Sequence, residues 1–125
     1  MKKIFTSNAP APAGHYSQAI VSNGLVFISG QLAITSDGQK MVDSPVEDQT
    51  RLIFNNIEAI LGASGSALEQ IVQVTIYISD GDNWGKVNET YIKIFGDHKP
   101  ARAVVPTRDL HYGLAIEVQV IAEVG

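Results

Sequence analysis

The sequence predicts one α+β domain over residues 1–125, a mixed β-sheet with two helices packed on one face. Three observations carry that reading. An Asn-Gly pair separates two strand-like runs, two stretches repeat apolar residues at helical spacing, and two others alternate strictly.

The elements follow in order. Residues 3–7 read as a short first strand, and a Pro/Ala-rich loop runs from Asn8 to Gly14. Residues 16–22 and 25–31 flank Asn23-Gly24, a pair that accepts positive φ and so doubles the chain into a hairpin. The second arm is nearly continuous in apolar residues until Ser29-Gly30-Gln31. A loop with Asp37-Gly38 leads to a helix start in which Ser44 suits the cap, Pro45 the first helical position and Glu47 a capping box. Ile53, Ile57, Ile60 and Leu61 fall on one stripe, and Gly62 and Gly65 end the helix.

Residues 71–78 alternate, with Val72, Val74, Ile76 and Ile78 on one face and Gln73, Thr75 and Tyr77 on the other. Asp80-Gly81-Asp82 turns the chain into a second helix over about residues 82–96, with Trp84, Val87, Tyr91, Ile94 and Phe95 as its buried stripe. Arg102 to Val105 reads as a strand closed by Pro100 and Pro106. Over residues 114–124, Leu114, Ile116, Val118, Val120 and Ala122 share a face. The sheet's second face is expected to carry Gln73, Thr75, Tyr77, Arg102, Glu117 and Gln119, a half-polar surface of the kind another subunit covers.

Composition narrows the function. Apolar residues at 45% against 18% charged exclude a disordered chain. The absence of cysteine excludes disulfides, thiolate metal sites and a Cys nucleophile. Net charge is −4 and the nine Lys and Arg are scattered, which disfavours a nucleic-acid partner. No signal-type leader and no membrane-length apolar run is present, so the expected compartment is the cytoplasm and no membrane partner is expected. His15, His98 and His111 lack metal-ligand spacing, so no metal is expected. There is no Gly-rich phosphate loop, dinucleotide fingerprint or nucleophile elbow, and the glycines of "GASGSALEQ" follow a helix rather than a strand.

Two charged residues interrupt apolar strands. Arg102 offers a permanently charged planar fork that fits a carboxylate or phosphate, so it either clamps a small anion or pairs internally, most simply with Glu117. Glu117 either polarises a water as a general base or is a solvated or salt-bridged sheet residue. Ser29-Gly30 either admits a ligand close to the backbone or is a simple turn.

The chain resembles the RidA/YjgF family of reactive-intermediate (enamine/imine) deaminases, whose members also carry the labels L-PSP endoribonuclease and translation inhibitor. The likeness runs nearly end to end through "NAPAPAGHYSQAI", "VFISGQL", "NNIEAILGASG", "VNETYIKIF", "PARAVV" and "IEVQVIA". It implies a homotrimer with a chorismate-mutase-like fold, a barrel of sheets and intersubunit clefts. It also implies that Arg102 holds a substrate carboxylate and that Glu117 serves the hydrolytic water. Tyr16, Ser29, Gly30, Asn88 and Val104 fall on cleft positions, with Val104 where many members have cysteine.

The implied substrates are 2-aminoacrylate and related 2-imino acids, converted to 2-keto acids and ammonia without a cofactor. A non-catalytic trimer that binds 2-keto acids and an endoribonuclease are the other readings. Residues 106–115, with Arg108, His111 and Tyr112, depart from the family's usual turn and bear on substrate preference.

Overall fold

Asn23 and Gly24 both adopt left-handed backbone, with φ of 53° and 76°, and join β2 (Ala19–Ser22) to β3 (Leu25–Leu32). They are part of a computed structural model that describes residues 1–125. β1 (Lys2–Ile4) pairs antiparallel with β2 and ends earlier than the apolar run suggests. The cause is Gln18, which is buried: its Oε1 accepts from the Thr6 backbone N–H at 2.7 Å, so the chain leaves the ladder for a side chain. For the same reason the hairpin's first arm is a strand only from Ala19.

The first long helix, α1, spans Val46–Ala63. Pro45 lies outside it in extended backbone, and no side chain caps the end, so Ser44 and Glu47 do not form the expected box. Instead the Ser44 carbonyl accepts from Gln49 Nε2 at 3.1 Å, while Glu47 and Asp48 complement the helix dipole in the first turn. Gly62 stays helical; Gly65, at φ 78°, is the residue that turns the chain away.

β4 (Ile71–Ile78) pairs antiparallel with β6 (Ile116–Glu123) and parallel with β5 (Ala101–Pro106). A register shift between Ile71 and Gln73 turns Ile71 inward and leaves Val72 exposed, against the simple alternation. The second helix, α2 (Trp84–Phe95), is shorter than expected because residues 81–83 form a separate 3₁₀ turn. Trp84, at the end of α2, is 48% exposed and not part of its buried stripe, which is Val87, Tyr91 and Phe95.

The strand order is β1-β2-β3-β6-β4-β5, a mixed sheet with β5 on an open edge. α1 packs against β3 and β6, and α2 packs against α1. Phe54 meets Tyr91 and Phe95 edge-on, at centroid distances of 6.0 and 5.4 Å. Ile53, Ile57 and Ile60 are fully buried, each stabilising the domain by about 1.5–3 kcal/mol. On the sheet's other face Gln73, Thr75, Gln119 and the exposed Phe27 remain accessible in a shallow groove.

Candidate functional site

A cleft of about 410 Å³ opens where the Pro/Ala-rich loop crosses the end of β3. Gln18 fastens that loop by donating from Nε2 to the carbonyls of Thr6 and Pro10, at 3.1 and 2.9 Å. Tyr16 follows the loop, and its hydroxyl accepts from the Ala13 backbone N–H at 3.2 Å. Ser29 and Gly30 sit in the irregularity where β3 slips its register against β6 between Ile28 and Gln31. Such a bulge aims backbone and small side chains out of the ladder. Ser29 is fixed there by donating from its N–H to the Gln18 carbonyl and from Oγ to the Ser17 carbonyl.

Glu117 closes the cleft from β6, half-buried, paired in register with Leu32 on one side and Tyr77 on the other. Burial pushes its carboxyl above the usual carboxylate range, and the charge of nearby His111 partly offsets that rise. A carboxyl of this kind takes a proton more readily than an exposed glutamate does. His111 and Tyr112, from the turn that precedes β6, line the same cleft.

Arg102 lies elsewhere. Its register partner on β4 is Val74, a core residue, so its side chain stands on the helix face of the sheet and not on the second face with Glu117. The sequence alone does not fix this, because β5 alternates between residues that are small or apolar on both sides. On that face the guanidinium lies over the Tyr91 ring, 4.7 Å from its centroid, and NH1 donates to Asn88 Oδ1 at 2.9 Å. Val104, two residues on, shares the face and is half-buried.

The internal Arg102–Glu117 pair is therefore not formed; the chain's one salt bridge joins Arg51 to Asp48 at 3.0 Å. Arg102 keeps donors of its planar fork for an external anion.

Within one chain the candidate residues thus form two groups. Tyr16, Ser29, Gly30 and Glu117 line the cleft, while Asn88, Arg102 and Val104 stand together at the open edge strand. His111, Tyr112, Gln18 and Gln31 also line the cleft. His111 and Tyr112 come from the 106–115 segment, whose departure from the family's usual turn marks it out in the sequence, and both line the cleft. Arg108 is exposed and lies outside the cleft lining.

Comparison with known proteins gives a consistent picture. The profile of the endoribonuclease L-PSP family matches residues 6–124. A RutC family protein of Pyrococcus horikoshii is 43% identical over 119 residues, covering 95% of this chain and 94% of that protein. The chloroplastic Reactive Intermediate Deaminase A of Arabidopsis thaliana is 40% identical over 95% of this chain and 64% of its own length. Among solved structures, Escherichia coli TdcF with bound serine superposes with a TM-score of 0.93 at 31% identity, covering 100% of both chains.

Proposed function

The chain belongs to the endoribonuclease L-PSP family, which includes RidA and YjgF, and from that premise we propose that it is a cofactor-free hydrolytic deaminase of 2-aminoacrylate and related 2-imino acids. The observation that carries the reading is the state of Arg102. Its guanidinium meets one side-chain amide and one aromatic face, with no carboxylate of its own chain. A permanent charge held this way suits the carboxylate of a small organic acid, in a two-pronged contact.

A 2-imino acid already carries an electrophilic carbon. Anchoring its carboxylate and presenting a water to the C=N carbon are the tasks left to the protein, and positioning supplies much of the effect. In this reading Arg102, with Asn88 beside it, is the anchor. Glu117 takes the proton of the attacking water, and Ser29 and Gly30 hold the substrate against the cleft floor. The products are a 2-keto acid and ammonia.

The anchor and the base belong to different chains in this proposal. A homotrimer built as a chorismate-mutase-like barrel would set the open β5 edge of one copy against the cleft of the next, covering the half-polar sheet face. The uncovered edge, the exposed Phe27 and the separation of the two residue groups support that assembly. No helix is long and apolar enough to cross a membrane. Relatives include a mitochondrial and a chloroplastic form, and for this chain we place the reaction in the cytoplasm.

The test is hydrolysis of 2-iminopropionate formed in situ by oxidation of alanine, followed as pyruvate released above the uncatalysed rate. The wild type accelerates it and Arg102→Ala abolishes the acceleration; equal rates in both refute the anchor. The serine held by TdcF favours a second reading, a trimer that binds small amino or keto acids without turning them over. Pyruvate binding without rate enhancement would select it.

A further inference from the structure

Hydrolysis of a C=N bond requires two proton movements. One proton leaves the attacking water, and another reaches the nitrogen as the π electrons move onto it. Glu117 accounts for the first. Besides Glu117, the titratable side chains that line the cleft are Tyr16, His111 and Tyr112.

The Tyr16 hydroxyl accepts from the Ala13 N–H and the Lys40 ammonium lies 4.6 Å from the Tyr112 ring centroid; neither contact uses the phenol proton, so the choice among the three rests on their chemistry. An imidazole is the side chain best suited to exchange a proton near neutrality. The turn that carries His111 is tightly built. Tyr112 adopts left-handed backbone at φ 63°, Gly113 follows at φ 78°, and the Leu114 N–H donates to the His111 carbonyl at 3.2 Å. A non-glycine residue held in that region marks a turn whose shape its surroundings enforce. The His111 ring, 6.1 Å from that of Tyr112, is thereby kept at the cleft wall.

Resting on the deaminase reading, we propose that His111 is a second catalytic residue, the group that gives a proton to the imine nitrogen while Glu117 takes one from water. The step balances. Water's oxygen bonds to the C=N carbon, its proton passes to the Glu117 carboxylate, and the π pair moves to nitrogen, which takes the imidazolium proton. In the carbinolamine so formed, the proton on Glu117 passes to the departing nitrogen and the C–N bond breaks. The hydroxyl oxygen closes the C=O bond and returns its proton to His111. Carboxylate and imidazolium are both restored, and one water has become the keto oxygen and two of the hydrogens of ammonia.

His111 is exposed, so its replacement leaves the core untouched. The titratable groups that share the cleft with it are Glu117 on β6, Tyr16 just after the Pro/Ala loop and Tyr112 on its own turn, with Lys40 over the last. The experiment compares pH profiles of 2-iminopropionate hydrolysis for the wild type, His111→Gln and Glu117→Gln.

The wild type should give a bell, needing ionised Glu117 and protonated His111. His111→Gln should lose about 100-fold in kcat with KM kept, and lose the alkaline limb with it. A His111→Gln enzyme that retains both limbs, whether slower or not, overturns the assignment. If Glu117→Gln also matches the wild type, or the wild type does not accelerate hydrolysis, it is the deaminase reading itself that fails.

Discussion

Glu117 occupies the space that a side chain on residue 30 would need: a Cβ on Gly30 would collide with Glu117 Oε2 and stand 3.1 Å from its Cδ. The glycine is required by this approach rather than by its backbone, which is not in the left-handed region. The obstructed atoms are the free end of a flexible side chain, so the fold can accommodate a methyl group by swinging the carboxylate aside. Gly30→Ala should therefore change stability by less than about 1 kcal/mol. Its turnover should fall about 10-fold or more, because the base is displaced. Thermal melts and the imine assay, read together, separate the two effects; undiminished turnover would mean that the position of Glu117 does not matter.

Arg102→Lys keeps the charge and loses the fork. Lysine cannot donate to Asn88 and present two parallel N–H groups to a carboxylate. Losing one charged hydrogen bond costs about 1.5–3 kcal/mol, roughly 10- to 100-fold in kcat/KM. The loss should appear in pyruvate affinity as well as in turnover, which calorimetry and steady-state kinetics measure.

The raised Glu117 carboxyl also predicts a dependence of stability on pH. Its folded value lies above its unfolded one, so between the two the folded state holds more protons. Stability then declines as pH rises through that window, and ionised Glu117 is a liability to the fold above it. Glu117→Gln should melt higher than the wild type at neutral pH, with the gap closing as pH falls below the ordinary carboxylate range. A gap that persists in acid would assign the difference to something other than ionisation.

Much of this arrangement is legible in the sequence where local chemistry decides it. Asn23-Gly24 can hardly be anything but a hairpin turn, and the alternation from Leu114 to Ala122 is the buried face observed. Where a partner decides, the sequence is silent. Arg102 and Val104 alternate with Ala103 and Val105, and only pairing with Val74 fixes which set faces the helices. Val72 looks like its apolar neighbours until the register slips beside it. Ser44 and Glu47 have the composition of a capping box, but the extended Pro45 carries the chain into α1 at another angle. His111 stands out in the sequence only through the unusual 106–115 segment, and its company with Glu117 in the cleft is not legible there because Glu117 belongs to the following strand.

The account depends on an anchor and a base that one chain keeps apart. Arg102→Ala and Glu117→Gln, each inactive alone, should be unfolded together, refolded and assayed for 2-iminopropionate hydrolysis. If a cleft takes its arginine from one copy and its glutamate from another, about a quarter of the sites in a random mixture are intact, and activity should return to roughly that fraction of wild type. Mixed assemblies that form but remain as inactive as their parents would contradict it.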